Sequence, residues 1–183
     1  MRNVWQEIYE NGLQLNIFPF TDLINLHKKF LDQCPQRPVH KVLELGCGTA
    51  NNYSYFKTFE KSIDYYGIEQ SSAAVEFAIS RFPELKQKIA IGDFTDIPPE
   101  KMEGDLSLII DRAALTHNDS DQIQKVLNLM FNSLLPGGLF LGIDWFSTSH
   151  SAWLQESTNI DENTKCDFKN GQFVGCGAVH FSD

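Results

Sequence analysis

A chain of 183 residues suits a single domain, and its 42% hydrophobic content can fill a sizeable core. No run approaches the ~18 apolar residues that a membrane span requires, and the opening "MRNVWQEIYENG" has no signal-peptide core, so a cytoplasmic protein with no membrane partner is expected. A formal net charge of −9 argues against a nucleic-acid partner, whose backbone demands clustered Lys and Arg.

Residues 1 to about 35 read as two helices. In "TDLINLHKKFLDQ" one face carries Leu23, Leu26, Phe30 and Leu31, Thr21 or Asp22 can cap, and Pro19 and Pro35 punctuate the ends. From Lys41 the pattern changes to short apolar runs: "KVLEL" (41–45), "DYYGIE" (64–69), "IAIG" (89–92), "LSLIID" (106–111) and "LFLGID" (139–144). Three of the intervals, "NNYSYFKTFEK", "SSAAVEFAISRF" and "SDQIQKVLNLMFNSLL", have helical stripes. Strands alternating with helices predict βαβ units, hence a doubly wound α/β domain with a mostly parallel sheet. After Asp144 a long polar stretch leads to "CDFKNGQFVG", where Asn170-Gly171 between two short runs predicts a hairpin. The chain therefore divides into an N-terminal helical cap (1–37), an α/β core (38–146) and a substrate-side loop and hairpin (147–183).

The four cysteines, Cys34, Cys47, Cys166 and Cys176, form no C-x-x-C pair, which favours reduced thiols over a structural zinc site. Cys47 stands between two glycines, where a small residue fits.

The most informative stretch is "VLELGCGTANN" (42–52), a strand running into a glycine turn at the carboxyl end of the sheet, where α/β domains bind ligands. Gly46 and Gly48 let backbone approach a ligand closely. Glu69 ends the second strand 21 residues after Gly48, where a carboxylate can accept from both ribose hydroxyls. Asp93 and Phe94 follow the third strand, an acid for an exocyclic amine beside a ring for an adenine face. These residues imply an adenosine ligand. Asn51 occupies the place of the third glycine of a dinucleotide site, and caps a helix well. A ligand with a carboxylate and no phosphate asks less of such a loop, and S-adenosylmethionine meets that description.

With "YYGIEQSSAAVEFA", "IAIGDFTDIP", "DLSLIIDRAALTHN" and "LLPGGLFLGIDW" following in order, the chain resembles the class I S-adenosylmethionine-dependent methyltransferases over roughly residues 38–146. The resemblance implies a Rossmann-like methyltransferase fold whose cofactor-binding residues include Glu44, Gly46 and Gly48 beside the methionine portion, with Asn51 in the same loop. It further implies Glu69 on the ribose with Gln70 nearby, Asp93 and Phe94 facing the adenine, and Asp111 and Arg112 near the sulfonium and the substrate. The segment "WQEIYENGLQLNIFPF" is similar to the N-terminal cap of small-molecule methyltransferases found with surface-polysaccharide genes. Trp5 and Tyr9 within it are spaced i,i+4, which serves core packing as well as a lid.

Methylation of a hydroxyl needs a base, and His117, six residues past Asp111, is the leading candidate, with Asp111 a second catalytic candidate and His150 in reserve. His27, His40 and His180 have no such placement. Asp111 and Asp144 each end a strand, as metal-binding carboxylates of catechol-type O-methyltransferases do, but Trp145 follows where that pattern wants an oxygen ligand, and no metal is expected. The amino-methylating signature, Asn or Asp before two prolines and an aromatic residue, is replaced by "DRAA". The reading is transfer of a methyl group to a small-molecule substrate such as a sugar or another hydroxyl compound. The competing readings are a nicotinamide-dependent oxidoreductase and a non-catalytic cofactor-binding domain of the same fold.

One further expectation concerns the sheet edge. The family closes its sheet with a further helix and two strands, which residues 145–183 do not supply, so the fifth strand would leave an apolar edge. A C-terminally truncated domain is expected, with that edge covered by the hairpin or by a second copy in a homodimer.

Overall fold

The computed structural model describes residues 4–33, 39–59, 63–97 and 105–183; Cys34 and Pro35 lie outside the described residues. Two helices open the chain, α1 (Val4–Glu10) and α2 (Thr21–Gln33), the latter turning Leu23 and His27 inward. The sheet follows with β1 (Lys41–Leu45), β2 (Asp64–Glu69), β3 (Ile89–Ile91), β4 (Leu106–Arg112) and β5 (Leu134–Ile143). Its order is β3-β2-β1-β4-β5 and every pairing is parallel. The crossovers carry α3 (Tyr53–Phe59), α4 (Ser72–Arg81) and α5 (Ser120–Ser133).

Both faces of the sheet are covered, which is why the strands are apolar nearly throughout. On one face Val42, Tyr65, Leu108 and Ile110 pack against Leu23 of α2, Phe56 of α3, and Val75 and Ala78 of α4. On the other face Leu43, Leu45 and Ile109 pack against Val126 and Met130 of α5. The topology reverses between β1 and β4, since β2 and β3 extend to one side of β1 and β4 and β5 to the other. That reversal opens a crevice at the carboxyl ends of β1 and β4.

The fifth strand is longer than its apolar run. It begins at Leu134, with no loop after α5, and the register on β4 slips between Leu106 and Leu108. The slip falls at Leu135 to Gly138, where Pro136 lacks an N–H to donate and Gly137 takes φ +81°.

The C-terminal part forms its own antiparallel sheet, β6 (Thr158–Asn159), β7 (Thr164–Cys166) and β8 (Val179–His180). Beneath it a third apolar cluster gathers Ala152, Phe168, Phe173, Val179 and Phe181. Asn170-Gly171 does not make the expected hairpin. It lies in the long loop from β7 to β8, because Phe168 and Phe173 on its two sides both turn into that cluster instead of pairing. The tight connection is instead the one between β6 and β7. The C-terminal segment joins the chain past the end of β5 through a parallel bridge of Phe146 to Phe181. Among the described residues none pairs with the outer edge of β5. No described helix is long and apolar enough to cross a membrane.

Candidate active site

The crevice is floored by the turn after β1. Gly46 and Gly48 both hold left-handed backbone, at φ +59° and +53°. A Cβ on Gly46 would sit 2.5 Å from the Ala114 methyl, and one on Gly48 would sit 2.6 Å from the Tyr9 hydroxyl. Only glycine meets both demands. Cys47 between them is buried and points its sulfur at Gly67 of β2, so its role is packing, and burial pushes the thiol well up.

Glu69, at the end of β2, completes the floor. Its Oε2 accepts from the Gly48 amide at 2.9 Å and its Oε1 from the Ser71 amide at 2.8 Å. Burial raises its pKa although these donors work the other way. The Gln70 amide is a third donor, so three of the carboxylate's roughly four acceptor sites are used, its orientation is set and some acceptor capacity remains. Glu44 is different: its oxygens accept from Tyr65 Oη at 2.5 Å and Asn52 Nδ2 at 2.7 Å, inside the core. Burial pushes it up to about 7. It therefore braces the turn from below.

Past β3, Asp93 Oδ1 accepts from the backbone and hydroxyl of Thr95, and Gln70 Nε2 reaches Oδ2 at 3.3 Å. Phe94 is half-buried against the second apolar cluster. Near the end of β4, Asp111 is fully buried with a partner on each oxygen: Oδ1 accepts from the amides of Ala114 and Leu115, and Oδ2 from Trp145 Nε1 at 2.7 Å. Burial lifts it to about 6. Arg112 pairs with Asp144 at 2.5 Å and lies over the Phe20 ring at 3.8 Å.

His117 sits in a helical turn after β4, with its ring edge-on to Trp5 at 4.9 Å and Phe146 at 6.4 Å. Its Nδ1 is 3.0 Å from the Ala178 carbonyl, and burial lowers its pKa. A carbonyl only accepts, so Nδ1 carries the proton and the neutral ring keeps its lone pair on Nε2. His150 is ordered the other way round. Its Nδ1 accepts from the Ala152 amide to cap the turn Ser151–Leu154, and its Nε2 lies 3.3 Å from Gln172 Nε2, so both ring nitrogens have partners. His27 meets Tyr55 and His180 meets Thr164, each within packing contacts away from the crevice.

The N-terminal segment roofs the site, and the sequence shows little of how. Gln6 Oε1 accepts from Ser71 Oγ at 2.9 Å at the start of α4, Tyr9 lies over Gly48, and Trp5 meets His117. Burial, then the nearby Glu69, pushes the Tyr9 hydroxyl far up, so it stays protonated. Residues 16–20 are strapped to the glycine turn: Thr49 donates to Asn16 O, Asn51 to Phe18 O, and Arg81 to Ile17 O, while Asn52 accepts from the Phe20 amide. Asn51 is thus a strap donor and not the helix cap expected of it. Nothing local in the sequence signals these ties, since the partners stand 32 to 64 residues apart.

A family profile described as a methyltransferase domain matches residues 37–180. An uncharacterized methyltransferase of Bacillus licheniformis is 28% identical over 123 residues, covering 67% of this chain and 55% of its own length. A second, from Oceanobacillus iheyensis, is 24% identical and covers 90% of this chain and 73% of its own. The chain thus spans about half the length of the first of these relatives. Among solved structures, S-adenosylmethionine-bound CalS10, an amino pentose methyltransferase from Micromonospora echinaspora, superposes with TM-score 0.59 at 16% identity, over 90% of this chain and 66% of its own. An S-adenosylmethionine-dependent methyltransferase from Clostridium acetobutylicum superposes with TM-score 0.56 at 18% identity, over 75% and 57%. At these identities the likeness establishes the fold.

Proposed function

The chain belongs to the methyltransferase-domain family, and from that premise we propose that it moves a methyl group from S-adenosylmethionine to a hydroxyl of a small-molecule acceptor such as a sugar. The observation that carries the cofactor is Glu69 held on the Gly48 amide, at the carboxyl end of a β3-β2-β1-β4-β5 sheet. The turn fits such a group: two left-handed glycines bring backbone to its surface, and the adjacent carboxylate, oriented by three backbone amides, keeps acceptor capacity for a hydroxyl donor. Glu69 would hold the ribose, with Gln70, Asp93 and Phe94 at the adenine end, and Gly46, Gly48 and Arg112 at the amino-acid end. When bound, the cofactor supplies an electrophilic methyl on a sulfonium.

The residues of the chain then do three things. The floor and the α1 roof fix the reactants in line and keep water away, and such alignment can be worth about 7–11 kcal/mol. His117 Nε2 takes the proton of the acceptor hydroxyl, a contribution of about 10²–10⁴-fold. Asp111 positions the turn Leu115–His117 through Oδ1 and Trp145 through Oδ2. Calorimetry with S-adenosylmethionine, S-adenosylhomocysteine and NAD tests the cofactor, and binding of NAD alone would overturn the reading. Labelled-methyl transfer to a panel of sugars and phenols tests the acceptor; no product with any of them would point to another acceptor class or to binding without turnover.

A further inference from the structure

We propose that the small C-terminal sheet selects the working tautomer of His117: the Ala178 carbonyl, held in place by β8, fixes the proton on Nδ1 and so leaves Nε2 as the base. This rests on the reading of His117 as the base. In water the imidazole of histidine prefers its proton on Nε2, so a base that uses Nε2 must be held in the less favoured form. The hydrogen bond at the other nitrogen is what decides the tautomer.

The chain that follows that carbonyl is held at several points. Ala178 immediately precedes β8, whose two residues pair with Lys165 and Thr164 of β7. The Phe181 amide donates to Asn163 O at 2.8 Å and the Ser182 amide to Phe146 O at 2.8 Å. Thr164 Oγ1 and His180 Nδ1 are 3.0 Å apart in the buried layer, and the Phe181 ring is fully buried in the third cluster. The sheet is also tied to the element that follows His117, since Asp161 Oδ2, in the β6–β7 turn, accepts from the Ser120 amide at 2.9 Å. Donor and acceptor of the His117 bond are thus carried on parts already joined. Trp5 and Phe146 hold the ring by its faces and edges and offer it no competing acceptor.

The test is nitrogen-15 NMR of labelled whole chain at a pH where His117 is neutral. Wild type is expected to show a protonated Nδ1 and a pyridine-like Nε2 for His117. Phe181→Ala, which opens the cluster beneath β8, should move that population toward Nε2–H. It should also lower methyl transfer to the best acceptor of the panel about 10- to 100-fold, with affinity for S-adenosylhomocysteine within about twofold. Thr164→Val, a milder change to the same strand pair, should shift both readings in the same direction by less, and it stands in if Phe181→Ala does not fold. Wild-type His117 found as Nε2–H overturns the proposal, as does a tautomer that ignores both variants. His117→Ala with undiminished transfer overturns instead the base reading beneath it, which the NMR measurement does not touch.

Discussion

The glycine turn and the histidine turn lie at the same end of one sheet, yet they are built in opposite ways. The first is assembled from a bond across one βα unit, Gly48 to Glu69 21 residues apart, and from straps to residues 16–20 that precede it in the chain. The second depends on a remote segment, since His117 is held by Ala178, 61 residues further on. One half of the site is therefore a property of the α/β core with its N-terminal segment, and the other a property of how the C-terminal sheet docks on that core. Substitutions should separate the two, affinity following the first and turnover the second.

The largest effect is expected from His117→Ala. Methyl transfer should fall about 10²–10⁴-fold while calorimetric affinity for the cofactor stays within about twofold. Equal losses in both would place His117 in the cofactor half. Glu69→Ala should do the reverse, weakening the cofactor about 10- to 100-fold, because charge-assisted hydrogen bonds are worth roughly 1.5–3 kcal/mol each. Calorimetry on the variant reads this directly, and undiminished affinity would remove Glu69 from the site. Trp145→Phe takes one donor from the buried Asp111 and should cost about 1–3 kcal/mol of stability in denaturant unfolding. A cost within error would mean that the indole bond contributes nothing net.

The smallest effect is the most diagnostic, because the two halves should answer pH with opposite sign. Glu44, at about 7, and Asp111, at about 6, hold protons more tightly folded than unfolded. Their contribution to stability is complete below about pH 4 and is lost as pH rises through 6 to 7. Asp161 is depressed to about 2, against its burial, by the Ser120 and Asn163 amides and nearby hydroxyls. Its contribution is present above about pH 4 and is lost as pH falls toward 2. On a partly exposed group this amounts to at most about 1 kcal/mol. Thermal unfolding from pH 2 to 8 should show both slopes, and Asp161→Asn should flatten only the acid one.

The difference between the halves also explains what the sequence could disclose. Five strands, a parallel sheet and the glycine turn were legible because each rests on local pattern: apolar runs of strand length, helical stripes between them, and an acid at a fixed distance from a glycine. The floor residues Gly46, Gly48 and Glu69 accordingly stand together as expected. What local pattern cannot carry is the pairing of distant polar groups. Asn51 looked like a cap because a helix begins nearby, yet its amide is drawn to Phe18 O by the docking of residues 16–20. His150 looked available because it follows β5, and only the structure reveals that a helical turn uses its lone pair. Asn170-Gly171 had the composition of a hairpin, but two flanking phenylalanines gain more in a shared cluster than in a ladder. Ala178 had no chemistry to announce it, since its contribution is a backbone carbonyl.

The His117–Ala178 bond has a consequence for timing. During synthesis the glycine turn, Glu69 and β4 leave the ribosome well before the segment that holds the imidazole, and domains tend to organise from the amino end. Contacts of long sequence separation also form slowly, because the chain between them must first be ordered. A nascent chain halted after α5 would thus already carry the cofactor floor, while its histidine still exchanged freely between tautomers. Competence to grip the cofactor should appear earlier in the life of each molecule than competence to use it.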